Sequence, residues 1–181
     1  MILRLRLVRY VVRQDVRMAK SEIELLALLR ELDDPERLER PLHYDRAATG
    51  RKFGGLVRRL EVDFGASCES ERDTQDSSEY GRVHVPTDAT VCGTRIVVCV
   101  SKFGSLAEVC ADNPGAFLGT GEAHEEGALD LGDLATVERA LADLGYVSVP
   151  EELLESDYKG PSALEHFAAR PTWWTRFFGL W

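Results

Sequence analysis

Apolar residues recur along this chain in two rhythms, and each rhythm predicts a kind of element. Leu25, Leu28, Leu29 and Leu32 fall on one helical face behind Ser21-Glu22-Ile23-Glu24. That opening is a capping box, in which the serine hydroxyl and the Glu24 carboxylate satisfy first-turn amides. Asp33-Asp34-Pro35 stops the helix. Arg95 to Val100 holds a continuous β-branched apolar run and predicts a central strand. Ser101-Lys102-Phe103-Gly104-Ser105 reads as a hairpin connection, with Gly104 free to take positive φ, and Leu106 to Ala111 returns antiparallel. Leu134, Val137, Leu141 and Leu144 form the buried face of a helix from Asp133 to Leu144, with Asp133 as N-cap and Gly145 as its C-terminal cap.

The remaining segments are read the same way. Leu60, Val62 and Phe64 alternate with Arg59, Glu61 and Asp63, which predicts a strand over Val57 to Phe64 with one wet face. The stretch 35–55 before it reads as irregular. Arg82 to Val85 and Tyr146 to Val149 are short strands, each ended by a proline. Residues 65–81 and 119–132 read as acidic loops. Ser162-Ala163-Leu164-Glu165 repeats the capping-box pattern and predicts a short helix to about Ala169. These elements predict an α+β fold: a single domain over 18–181, with an antiparallel sheet and helices packed mainly on one face.

The chain closes on Arg-Pro-Thr-Trp-Trp-Thr-Arg-Phe-Phe-Gly-Leu-Trp. On a helical wheel Trp173, Trp174, Phe177, Phe178, Leu180 and Trp181 share one arc of about 160°, and Arg176 falls opposite. A patch of that size must be covered. The expectation is a structural C-terminal helix whose Trp173, Phe177 and Trp181 lie against the domain's own sheet.

Charge changes the picture in two places. The net charge of −9 argues against DNA or RNA as a partner and suits a basic protein partner. Residues 1–17 carry five arginines and one aspartate, a net of +4, which leaves −13 on the rest. That start reads as a transit-type segment, as an extension upstream of Met18, or as a genuine element, in which case the spacing of Leu5, Val8, Val12 and Val16 favours helix after about Leu5 over the strand that Leu3, Leu5 and Leu7 suggest. Arginines interrupt every apolar run in it, leaving no core for a secretory signal. No stretch reaches the roughly 18 apolar residues of a membrane span. Four cysteines without a C-x-x-C pair read as reduced thiols, which places the protein in the cytoplasm.

Candidate chemistry is sparse. There is no G-x-S-x-G elbow for a nucleophile. His124 stands among Glu122, Glu125 and Glu126, but no second histidine follows at metal-site spacing. Cys68, His43 and His84 would bind a metal only if folding brought them together. Gly119-Thr120-Gly121 has acids after it where a phosphate cradle needs a lysine. Arg46, Arg51, Lys52, Arg58 and Arg59 form a basic patch that balances the acidic loops. No catalytic residue, cofactor or metal site is therefore expected. The acidic segments carry the functional expectation: Glu69, Glu71, Asp73, Asp76, Glu79, Glu122, Glu125, Glu126 and Asp130 as a docking surface for a basic partner.

The segments "SKFGSLAEVC", "ALADLGYVSVPEELLESDYKG" and "TWWTRFFGLW" together resemble the small bacterial immunity-type proteins of polymorphic toxin systems, over about residues 95–181. The resemblance implies a non-enzymatic inhibitor that binds a toxin. The alternatives are a structural or assembly subunit that docks through its aromatic C-terminal helix or basic N-terminus, and a small metal-dependent hydrolase built around His124.

Overall fold

The computed structural model describes residues 20–72 and 76–179. The readings of 1–17 and of Asp73, Leu180 and Trp181 lie outside the described residues. Five strands form one sheet in sequence order: β1 (Glu69–Arg72), β2 (Glu79–Val85), β3 (Ile96–Ser101), β4 (Leu106–Ala111) and β5 (Val147–Ser148). The first four run antiparallel, and β5 joins β4 in parallel. The α+β class holds, and the sheet is mostly antiparallel.

β3 is central and buried along its whole length, as its apolar run predicts. The β3–β4 hairpin turns at Gly104, whose φ is 56°. A Cβ there would stand 2.3 Å from Leu32 Cδ1, so any other residue would also have to displace that side chain.

Among the described residues, six α-helices cover the sheet. Helix α1 (Glu22–Leu32) starts at the Ser21 capping box and ends at Asp33. Helix α2 (Arg46–Phe64) replaces the second half of the stretch expected to be irregular, 46–55, and the strand expected over Val57 to Phe64, whereas 35–45 is irregular as expected. The last eight residues fit either period. Phe53, Leu56 and Leu60, all fully buried, continue one helical face through Gly54-Gly55. Asp45 caps the start, accepting from Ala48 N–H at 2.9 Å, and left-handed Gly65 ends it.

Helix α4 (Leu131–Asp143) buries Val137, Ala140 and Leu141. Its N-cap is Asp130, not Asp133: the Asp130 carboxylate accepts from Gly132 and Asp133 N–H. Asp133 instead accepts from Val91 N–H at 2.8 Å. The acidic segment before it is not all loop, since Gly119–Glu125 forms α3. Residues 65–81 likewise contain β1 and the start of β2. The helix expected from Ser162 is absent: 162–169 form turns, and the Ser162 hydroxyl bonds the Asp33 carboxylate at 2.8 Å.

The remaining helices are α5 (Glu151–Leu154) and α6 (Trp173–Phe178). Helices pack on both faces of the sheet, where one main face was expected. Phe53, Leu56, Leu60, Ala123, Val137 and Leu141 from α2, α3 and α4 meet Val83, Val85, Ile96, Val98, Val100 and Val109. Leu25, Leu29, Leu153, Leu154, Trp173, Phe177 and Phe178 from α1, α5 and α6 meet Val97, Cys99 and Leu106. The β3 and β4 side chains alternate between two apolar surroundings, so neither face can be left wet.

Helix α6 does lie on its own sheet through Trp173 and Phe177. Arg176, expected on the wet side, is fully buried. Its Nε donates to Asp33 Oδ1 at 2.5 Å, and its other nitrogens donate to the carbonyls of Leu38, Asp34 and Arg37. The guanidinium also stacks over Phe103. The turn after α1 wraps the outer side of α6, which a wheel cannot show.

Candidate functional site

The second face of the sheet is not wholly apolar. Strand register sets Glu71, Arg82, Cys99 and Glu108 in one row across β1 to β4. Cys110 follows Glu108 on the same face two residues on, as strand alternation requires. Helix α5 lays Glu151 over β4, and α6 lays Trp174 beside it.

The inner end of the row is closed. Glu108 is fully buried, Cys110 is 2% exposed and Glu151 is 5% exposed. One ligand-type atom from each lies within 4.8 Å of the others. Trp174 Nε1 donates to Glu108 Oε2 at 2.9 Å, and Gly115 N–H donates to Glu151 Oε1 at 2.7 Å. Glu108 Oε1 has no partner among the described residues. Burial pushes the Glu108 carboxyl up to about 8, opposed by the Trp174 hydrogen bond and helped by the nearby Glu151 charge. The Cys99 thiol, hydrogen-bonded to Cys110, and burial together push the Cys110 thiol up. Burial also raises Glu151, although the Gly115 and Gly119 amides pull it down.

The outer end of the row opens into a groove of about 450 Å³, lined by Glu71, Glu79, Arg82, Phe167, Trp174 and Phe178. Arg82 grips Glu79 with two hydrogen bonds of 2.6 and 2.9 Å. All four residues of edge strand β1 are exposed. Glu69 and Glu71 project to the groove side, because they stand opposite His84 and Arg82.

The structure separates the carboxylates that the sequence grouped. Glu69 and Glu71 sit on β1, whereas Glu122, Glu125 and Glu126 belong to α3 and its cap, which packs on β4 and α5. β1 and β4 are three strand steps apart, about 14 Å. Several of these acids have local work. Glu79 is buried against Arg82, Glu122 accepts from Leu118 N–H, and Asp130 caps α4. Asp76 takes a left-handed turn conformation, with φ of 52°. Glu69, Glu71, Asp76, Glu122, Glu125 and Glu126 are exposed.

The other candidates resolve locally as well. His124 Nδ1 sits 3.0 Å from the Leu129 carbonyl. Cys68 packs in the first apolar cluster while His84 projects to the opposite face, so those two do not meet. In the basic patch, Arg59 pairs with Asp63 and Asp143. Lys52 donates to Ser105 Oγ and the Gly145 carbonyl and lies over the Tyr146 ring.

Sequence reading missed the Glu108–Cys110–Glu151 group. A signal existed: a lone glutamate interrupts the apolar return strand Leu-Ala-Glu-Val-Cys-Ala, on the face of β4 that carries Cys110. Compared with protein-family models, curated proteins and solved structures, the chain matches none. No helix among the described residues is long and apolar enough to cross a membrane.

Proposed function

We propose that this is a non-enzymatic protein-binding domain that receives a basic partner along edge strand β1, in the manner of an immunity-type inhibitor set against a basic toxin cleft. One observation carries the reading: a fully exposed edge strand presents Glu69 and Glu71 beside a groove with aromatic walls. An extended segment can add to such an edge through backbone hydrogen bonds, while pockets read its side chains. Basic side chains on that segment would meet Glu69 and Glu71, and the aromatic walls would take its apolar ones. The excess of −13 outside residues 1–17 favours the encounter. Burial of Trp173, Arg176, Phe177 and Phe178 supports this route over an assembly role for the C-terminal helix.

The test pairs the full chain with a basic protein captured from its host, purified and measured by calorimetry. E69K/E71K weakens binding at least about 10-fold at low salt, and the effect shrinks as salt rises. E125K/E126K on α3 changes it little. Binding that ignores E69K/E71K at every salt concentration overturns the reading.

A further inference from the structure

The buried end of the polar row holds a set of ligands that protein–protein docking does not use. Two carboxylates and a thiol converge within 4.8 Å, all at least 95% buried. Burying such a group without partners is costly, and native cores satisfy their polar atoms. Here one oxygen of each carboxylate is held by a fixed donor, the Trp174 indole or the Gly115 amide. Glu108 Oε1 is left unpartnered among the described residues, in a side chain that is fully buried.

We propose that Glu108, Cys110 and Glu151 form a binding site for a single borderline divalent cation, best matched by zinc. The donor set selects the ion class. A thiolate disfavours calcium and magnesium, which take six or more oxygens, and two carboxylates disfavour a soft monovalent copper ion. Zinc accepts sulfur and carboxylate together in a small tetrahedral shell. Zinc–ligand bonds of about 2.0–2.3 Å put neighbouring ligands roughly 3.3–3.8 Å apart. Closing the present spread of up to 4.8 Å to those distances takes a movement of about 1–1.5 Å. Three protein ligands leave a fourth position for water.

The surroundings fit such a site. Hydrogen bonds from Trp174 and Gly115 orient the two carboxylates, as outer donors do in metal centres generally. Arg82, held by Glu79, stands near Cys99 and Cys110. Glu151 also lines a cavity of about 780 Å³ beside β5, with Glu24, Leu25 and Glu138. A bound ion would tie β4 to α5 and, through Trp174, to α6. The C-terminal helix would then be braced by the metal as well as by its aromatic residues.

The test uses the full chain with exposed Cys92 replaced by serine, so that no surface thiol competes. The protein is stripped with a chelator and titrated with zinc in competition with a chromophoric chelator. Cobalt is added in a parallel sample. Expected are one equivalent of zinc per chain and a cobalt spectrum with a thiolate charge-transfer band. E108Q and C110S each abolish both, and W174F weakens zinc about 10-fold. Folding of every variant is checked by circular dichroism. Less than stoichiometric uptake by the parent protein overturns the site whatever the variants do. So does undiminished binding in folded E108Q and C110S.

Discussion

The two faces of one sheet are built on different terms. The face under α2, α3 and α4 is closed by hydrocarbon and tyrosine: Ile96, Val98, Val100 and Val109 meet Phe53, Leu56 and Leu60. The face under α1, α5 and α6 has its own apolar cluster, but Arg82, Cys99, Glu108, Cys110, Glu151 and the Arg176–Asp33 pair are set around it. The first face can repack after a conservative substitution, because its contacts have no direction. The second depends on directed bonds between groups that are costly to bury alone. Marginal stability is better spent on apolar packing, so polar groups inside the second face mark where something besides folding is being served.

Substitutions that remove one buried charge should separate the faces most. Arg176→Met leaves Asp33 with only Tyr158 and Ser162 as donors and removes one donor from each of the Leu38, Asp34 and Arg37 carbonyls. It should lower unfolding free energy in a urea titration by about 3–5 kcal/mol. Leu56→Ala on the apolar face should cost about 2–5 kcal/mol. Leu56→Met should cost less than about 1.5 kcal/mol, since volume is kept. A conservative swap as damaging as Arg176→Met would break the contrast between the faces.

Glu108 gives a pH test on metal-free protein. Its carboxyl titrates near 8 in the folded state against 4.5 as an ordinary glutamate, chiefly through burial. Between these values the unfolded chain has lost a proton that the folded chain keeps. Stability is therefore fully present below about 4.5 and falls as pH rises through 8. At about 1.4 kcal/mol per unit, the fall between pH 5 and 8 should reach a few kcal/mol. The groups facing Glu108 are Trp174, Cys110 and Cys99, with Glu151 of α5 and Glu155 at its cap. Folded Glu108→Gln should flatten most of the slope, and an unchanged slope would assign it to Glu151 instead. Smaller again, Asp130→Ala should cost about 1 kcal/mol through loss of the α4 cap. Glu125→Lys on exposed α3 should stay within about 0.5 kcal/mol.

Legibility followed the range of the forces. The Ser21 box, the Asp33 stop, the β3 run and the Gly104 turn were all readable, because each is decided by bonds within a few residues. The same local logic failed at Ser162, where a capping-box pattern holds no helix. Its hydroxyl is drawn instead to Asp33, which lies 129 positions away. Acidic composition misled in a similar way. A carboxylate-rich segment reads as a wet loop, yet Glu122 and Asp130 organise helices and Glu79 is buried in an ion pair. Of the expected docking acids, Glu69, Glu71, Asp76, Glu122, Glu125 and Glu126 are exposed, and those of β1 and of α3 with its cap stand on separate surfaces.

By itself the sequence determined the α+β class, the central hairpin, most of α1 and α4, and the need to cover the aromatic close. Hydrophobic period and capping chemistry are properties of neighbours along the chain, and they survive without tertiary context. Tertiary structure alone decided three things. It made 57–64 a helix, because both periods fit those residues and only packing on the sheet and α4 separates them. It buried Arg176, because the turn after α1 closes over a short helix from its far side. It gathered Glu108, Cys110 and Glu151, because a parallel return through β5 carries α5 across β4. Convergence of residues some forty positions apart depends on where the chain crosses over, and no local pattern encodes that crossing.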